Sequence, residues 1–289
     1  MAVLNHKIDF VVTFMVKDAN PNGDPLSENL PRTDVLSFGE VSDVCIKRKI
    51  RNRLQDAGYP LFVQAKDRVD DGHFSLEERY KANIKELGDK PSEEDIYNYC
   101  CRKWIDTRSF GQVITFNNLS IGIRGPVSIG LAKSLAPVIV STMQITRSTD
   151  GMASTTGKRS SDTMGSKSFV EFGVYAFCGS INPYFAEKTG FTDDDASALK
   201  EALRTLFVND ASAARPDGSM EVKEIFWFEH PAKLGLISSA KTHALVIREA
   251  NFDPVNPVED YDSYQVHLDM EKVKELEEKG LKVEQIKGY

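Results

Sequence analysis

The chain has 289 residues, 41% of them hydrophobic and 27% charged. These are the proportions of a globular protein that buries a real core, and its length suits one large domain or two of roughly 150 residues. No run approaches about 18 consecutive apolar residues, so no membrane-spanning helix is expected. The net charge of −7 argues against nucleic acid only if it is evenly spread, yet residues 249–289 carry eleven acids against five bases, and residues 1–248 carry 32 against 31. Local charge is therefore the better guide to partners.

The first element is a strand over residues 7–16, with Ile8, Phe10, Val12, Phe14 and Val16 on one face and Val11 and Met15 on the other. A turn-rich loop follows, containing Asn20, Pro21, Asn22, Gly23, Asp24 and Pro25. Ile46, Ile50 and Leu54 recur every four positions and predict a helix over 41–57, ended by Gly58. Residues 59–110 are mostly polar and read as an insertion, within which Ser92 and Asp95 have the spacing of a capping box. Strands are expected near 112–116 and 120–125, with a turn or bend over 125–130.

Residues 148–168 are distinctive. Thirteen of these 21 residues are Ser, Thr or Gly, too little apolar content for a core of their own. They sit between expected strands at 138–146 and 169–181, which makes them a long protruding loop or hairpin, and such loops are usually functional. Thr192 caps a second helix whose stripe is Ala196, Leu199, Leu203, Leu206 and Phe207. Strands at 221–228 and 242–248 follow, and the acidic remainder ends in a charged helix over 269–279. The order strand, helix, strand pair, helix, strand matches a ferredoxin-like or RRM-like core, an α+β fold.

Enzyme motifs are missing: the five histidines show no metal spacing, and no Walker, G-x-S-x-G or G-x-G-x-x-G pattern is present. Asp9, Asp18, Asp24 and Asp34 are the acids that could gather on a divalent cation, although turn and cap roles account for them more simply. The four cysteines (Cys45, Cys100, Cys101, Cys178) form neither a disulfide framework nor C-x-x-C spacing. With no secretory pattern in the first residues, a reduced cytoplasmic protein is the expectation.

The stronger signal is Lys47, Arg48, Lys49, Arg51 and Arg53, five bases in seven positions. Lys47 with Arg51, and Lys49 with Arg53, lie one turn apart and line ridges about 5–6 Å from residue to residue, a spacing that suits successive phosphates. We read this face as uncompensated by acids. Lys158, Arg159 and Lys167 lie among hydroxyls and glycines, and Met152 and Met164 have the shape of base-step wedges. Tyr175 and Phe177 share a strand face of the kind that stacks bases in RRM proteins, but their surroundings fit the RNP1 pattern poorly, and core packing is the better reading.

Together these segments resemble the repeated backbone subunit of the CRISPR Cascade complex, the Cas-seven type, and most closely its type I-C branch. The resemblance rests on the first strand running into Asn20, Pro21, Asn22, Gly23 and Asp24, then on the basic helix. Arg108 to Gln112, Gly125 to Val127 and the Ser/Thr/Gly-rich stretch ending at Gly165 add to it. It implies a right-hand shape: a palm over 1–58, 111–147 and 169–250, fingers over 59–110, a thumb over 148–168 and an acidic tail over 251–289. It implies no cofactor and no catalysis. Copies would stack head to tail along one CRISPR RNA, beside other Cascade subunits, and present the guide to target DNA.

On that resemblance Asn20, Asn22, Gly23, Asp24 and Arg32 contact the guide backbone, and Lys47, Arg48, Lys49 and Arg51 neutralise phosphates. Phe110 and Gln112 lie where fingers meet palm. Met152, Lys158, Arg159, Met164, Gly165 and Lys167 belong to the thumb, with Met164 the wedge at its base. Two other readings stand beside it: a metal-dependent ribonuclease using Asp24 or Asp34, as in related type III subunits, and a protein-interaction module without nucleic acid.

Overall fold

The computed structural model describes residues 2–88, 90–116, 119–146, 164–250, 253 and 260–289. Its strands, in chain order, are β1 (Ile8–Ala19), β2 (Gly23–Asp24), β3 (Leu30–Pro31), β4 (Phe38–Val41), β5 (Gln112–Ile114), β6 (Ile121–Ile123), β7 (Val127–Ile129), β8 (Ala132–Pro137), β9 (Val140–Thr146), β10 (Met164–Ile181), β11 (Met220–Glu229), β12 (Val246–Ala250), β13 (Tyr264–Leu268) and β14 (Lys282–Lys287). The α-helices are α1 (Asp43–Asp56), α2 (Leu76–Ile84), α3 (Glu93–Lys103), α4 (Ile105–Phe110), α5 (Pro183–Thr189), α6 (Asp193–Arg204), α7 (Ser239–His243) and α8 (Met270–Glu277).

The main sheet runs β14-β11-β1-β10-β8-β4, with β7 and β9 also paired to β10. β1 lies at its centre, antiparallel to both β10 and β11. Both faces of β1 are buried, which explains why its two apolar registers overlap. Ile8, Phe10, Val12, Phe14 and Val16 join Ile46, Ile50, Leu54, Leu199 and Leu203 in one core beneath α1 and α6. Val11 joins Phe226, Phe228, Leu245, Val273 and Leu276 in a second core on the opposite face. Tyr175 and Phe177 are buried in the first, Tyr175 stacked on Phe14 with ring centroids 5.3 Å apart. The face opposite α1 and α6 is covered by α7, β12 and α8, so aromatic side chains of the sheet have no open platform there.

A third cluster belongs to the segment between α1 and β7. Phe62, Tyr80, Ile96, Tyr99, Cys100, Cys101 and Trp104 pack against Ile114, Ile121 and Ile123 of the β5–β6 hairpin. Capping boxes start α2 at Ser75 and α3 at Ser92, and a third starts α6 at Thr192. Each satisfies two amide donors at a helix end where no intrahelical partner exists.

Several local expectations are corrected. Residues 127–129, expected as a turn, are a strand with Val127 and Ile129 buried against β10. β8 was invisible in the sequence because Ala132, Ser134 and Ala136 are its inward side chains and Pro137 its end. Thr242 and His243 close α7 rather than open a strand. The charged helix expected over 269–279 is α8, but the chain does not end there: β14 follows and pairs with β11 from Glu224↔Lys287 to Glu229↔Lys282. Only Val283 and Ile286 of that strand are apolar and half-buried, too weak an alternation to announce it. Among the described residues no helix is long and apolar enough to cross a membrane.

Candidate nucleic-acid interface

Three elements converge at one end of β1. The chain leaves β1 at Ala19, paired with Val170 of β10, and folds into the β2–β3 hairpin, Gly23↔Pro31 and Asp24↔Leu30. Asn20 Nδ2 donates to the Asn29 carbonyl at 2.7 Å and Asn22 Oδ1 accepts from the Ser42 amide at 2.9 Å, which ties the loop to the start of α1. A Cβ on Gly23 would lie 2.1 Å from Asn29 Oδ1 and 2.9 Å from the Asn29 carbonyl oxygen, so a larger residue would displace the Asn29 side chain and press on the hairpin backbone. Among the described residues Asn20 Oδ1 and Arg32 Nε are buried with no hydrogen-bond partner, which leaves unspent polar capacity at the loop.

The acids of this loop are occupied. Asp24 accepts from the Leu26 amide, the Ser27 hydroxyl and Arg32. Asp34 accepts from the Leu36 and Phe38 amides and pairs with Lys133 at 2.5 Å. That lysine, with the two amides, holds the Asp34 carboxyl below its ordinary range against a smaller opposing effect of burial. Both serve as turn anchors. Among the described residues no cluster of three or more His, Cys, Asp or Glu is placed to hold a metal ion.

The basic helix is not an open cationic ridge. Lys47 pairs with Asp43 one turn earlier, an i,i+4 acid on the same helix that corrects the uncompensated reading. Lys49 is 4% exposed and pairs with Asp210, and its ammonium faces the Phe207 ring. Burial drives the Lys49 pKa down and Asp210 opposes it only in part. Arg51 donates through Nε to Asp106 at 2.9 Å, and its guanidinium sits 5.1 Å from the Phe110 ring centroid. Arg53 bonds Thr205 and Asp56. Arg48 is the base of this group that stays 60% exposed, in a loose 3.5 Å pair with Asp67. A surface pair of that kind contributes at most about 1 kcal/mol and leaves the cation free to exchange partners.

Two bases at the loop escaped the sequence reading. Arg215 donates to the Asn20 carbonyl at 3.3 Å and pairs with the same Asp210 that holds Lys49. Lys133, half exposed on β8, lies over the Phe38 ring and holds Asp34. Neither had a local signal, because each meets the loop only across the sheet. Phe110 reaches α1 through Arg51, whereas the Gln112 amide bonds Val113 within β5.

Beside the loop, β9 and β10 pair continuously from Val140↔Val170 to Thr146↔Met164. Every residue of β9 from Thr142 to Thr146 is exposed, so this arm extends beyond the core. It shows Met143, Ile145 and Met164 to solvent, Met164 at 65%, with its sulfur accepting from Gln144 Nε2 at 3.4 Å. Gly165 pairs with Ile145, and Lys167, half-buried, pairs with Met143. Met152, Lys158 and Arg159 lie outside the described residues.

Comparison with known proteins finds relatives of this chain. Residues 6–269 match the family model described as CRISPR-associated protein Cas7. A curated protein of Haloferax volcanii, "CRISPR-associated protein Cas7", is 24% identical over 216 residues, which cover 69% of this chain and 63% of that protein's length. Among solved structures, a chain of a "CRISPR RNA-guided surveillance complex, pre-nicking" is similar with TM-score 0.47 and 15% identity, over 77% of this chain and 78% of the other. A chain of a "CRISPR RNA-guided surveillance complex" has TM-score 0.44 and 16% identity, over 86% and 78%.

Proposed function

The chain belongs to the CRISPR-associated protein Cas7 family, and on that premise we propose that it is a non-catalytic backbone subunit of a type I-C CRISPR surveillance complex in the cytoplasm. Copies assemble head to tail along one CRISPR RNA, with other Cascade subunits at the ends, and hold its sugar-phosphate backbone without reading sequence. The guide then pairs with target DNA, so base pairing supplies specificity while protein supplies shape and charge. The observation that carries this reading is the family match across residues 6–269.

The geometry supports particular roles. The spatial order β11-β1-β10-β8, with α1 and α6 as crossovers, suits an RRM-like, ferredoxin-like palm whose usual base-stacking face is covered. RNA must then be held at the sheet's end, where the Asn20 to Arg32 loop, Arg48, Lys133 and Arg215 lie. The helical segment within residues 59–110 acts as fingers, and residues 148–168, whose described part lies on the β9–β10 arm, act as a thumb that displaces bases, with Met164 at its root. Lys49 and Arg51 act by fixing α1 to the palm and fingers, leaving phosphate contact to Arg48 and the loop bases.

The test is co-expression with a CRISPR array followed by purification. A large particle holding RNA of one discrete length supports the scaffold. A nucleic-acid-free monomer, inert towards added guide RNA at low salt, overturns it in favour of an interaction module. For the ribonuclease reading, Mg²⁺-dependent cleavage of paired RNA that is lost in Asp24→Ala or Asp34→Ala would displace the non-catalytic one.

A further inference from the structure

Across the sheet from α1 and α6, a cluster of ionisable groups gathers at one end of β1 and β10, with no part in the RNA contacts above. Asp9 and Cys178 point to the same face, being on paired strands in register with Ser180 and Val11 respectively. The Asp9 side chain is fully buried, and its Oδ2 lies 3.0 Å from His230 Nε2 and 3.4 Å from Lys7 Nζ. Its Oδ1 has no hydrogen-bond partner among the described residues and faces His243 Nε2 at 3.8 Å. That same nitrogen is 3.0 Å from the Gly179 carbonyl, which fixes the ring against the residue next to Cys178. From β12, Arg248 donates through a terminal guanidinium nitrogen to Cys178 Sγ at 3.4 Å.

A guanidinium thus lies on the sulfur, and an imidazole backed by a buried carboxylate is held beside it at the Gly179 carbonyl. Such an environment stabilises a thiolate, the form in which cysteine is a nucleophile. Burial pushes the Cys178 thiol up, but hydrogen bonding to His243 and the charges of His243 and Arg248 outweigh it, and the thiol lies below its ordinary value. His243, although burial opposes its charge, is raised in turn by Cys178 and Asp9. The other cysteines run the opposite way: burial raises Cys45, and pushes Cys100 and Cys101 up to about 12. Cys178 is also half-buried, whereas Cys100 and Cys101 are buried.

We propose that Cys178 is a modification site, a thiolate held by Arg248 beside His243, that hydrogen peroxide oxidises to a sulfenic acid. The sulfur attacks one peroxide oxygen; the S–O bond forms as the O–O bond breaks. The departing hydroxide takes a proton from the His243 imidazolium and leaves as water. Sulfur loses two electrons and the peroxide gains them. His243 supplies the proton and Arg248 holds the sulfur in this step, and Asp9 is a positioning residue that orients and charges His243.

The test is per-cysteine mass spectrometry on the full-length protein, with iodoacetamide as a probe of thiolate and hydrogen peroxide with dimedone as a probe of sulfenic acid. At pH 7 Cys178 is expected to react at least about 10-fold faster than Cys45, Cys100 or Cys101. Its alkylation rate should reach half-maximum below the roughly pH 8.5 of an ordinary thiol. His243→Gln and Arg248→Gln should each slow labelling at pH 7 and move that midpoint upward, with circular dichroism showing the fold retained. Cys178 reacting no faster than the other three overturns the proposal in the unaltered protein alone. So does a pH midpoint that neither variant moves. Loss of the fold in one variant leaves the other, and the unaltered protein, to decide.

Discussion

Replacing Arg51 by Ala separates a structural cation from an RNA-binding one. Arg51 is largely buried and pairs with Asp106, which is 1% exposed and also accepts from the Phe62 and Val63 amides at 2.8 and 3.0 Å. The substitution leaves a buried carboxylate without its cation and removes the guanidinium from the Phe110 ring. Removing one partner of a buried pair costs roughly 3–5 kcal/mol. The two amides that remain on Asp106 offset part of this, so the expected loss is about 2–3 kcal/mol, or roughly 30- to 140-fold in the folding constant. Urea unfolding followed by tryptophan fluorescence suits the question, because Trp104 reports on the helical cluster and Trp227 on the palm. A midpoint unchanged within about 0.5 kcal/mol, together with weaker RNA binding and a shallower salt slope, would refute the structural assignment and return Arg51 to the phosphates.

Arg48→Ala should do the reverse. Stability changes by less than about 1 kcal/mol, while RNA affinity falls at every sequence and the log–log salt slope drops by about 0.7; a sequence-selective loss would contradict backbone gripping. Deleting residues 150–165 should leave the urea midpoint within about 0.5 kcal/mol, since its described residues are exposed, but impair assembly on RNA; an unfolded product would contradict the thumb role. Gly179→Ala places a Cβ 2.2 Å from Phe10 Cζ and 2.8 Å from the Ser128 carbonyl, and such overpacking should lower stability by about 1–3 kcal/mol. Cys100 and Cys101, pushed up to about 12 by burial, make stability fall in alkali. Their folded pKa exceeds the roughly 8.5 of an unfolded thiol, so the stabilisation is whole below that value and is lost as pH rises towards the folded one. Urea midpoints between pH 7 and 10 should decline, and less steeply in Cys100→Ala and Cys101→Ala.

Much of the architecture was legible because local patterns and tertiary demands agree. β1, α1, α3, α6 and β11 fall within a few residues of their expected positions, each marked by periodicity, a cap or both. Legibility failed where the inward side chains are small, as in β8, or few, as in β14. At the candidate site, the loop's turn chemistry and its place after β1 were readable, and so was a strand over 138–146, which is β9; residues 164–168, expected in a loop, belong to β10. Arg215 and Lys133 were not, since their approach to the loop depends on strand order.

By itself the sequence determined the elements with strong period and capping, the membership of a family whose model it matches over residues 6–269, and the presence of five bases on one helix. Only the tertiary structure decided what those bases do. Lys49 meets an acid 161 positions away and Arg51 one 55 positions away, while a helix face read in sequence reveals partners only three or four residues distant. Ion pairing depends on distance through space and on the dielectric at the contact. Both are set by which helix lies on which sheet, so identical basic residues became buried anchors at Lys49 and Arg51 and an exposed cation at Arg48.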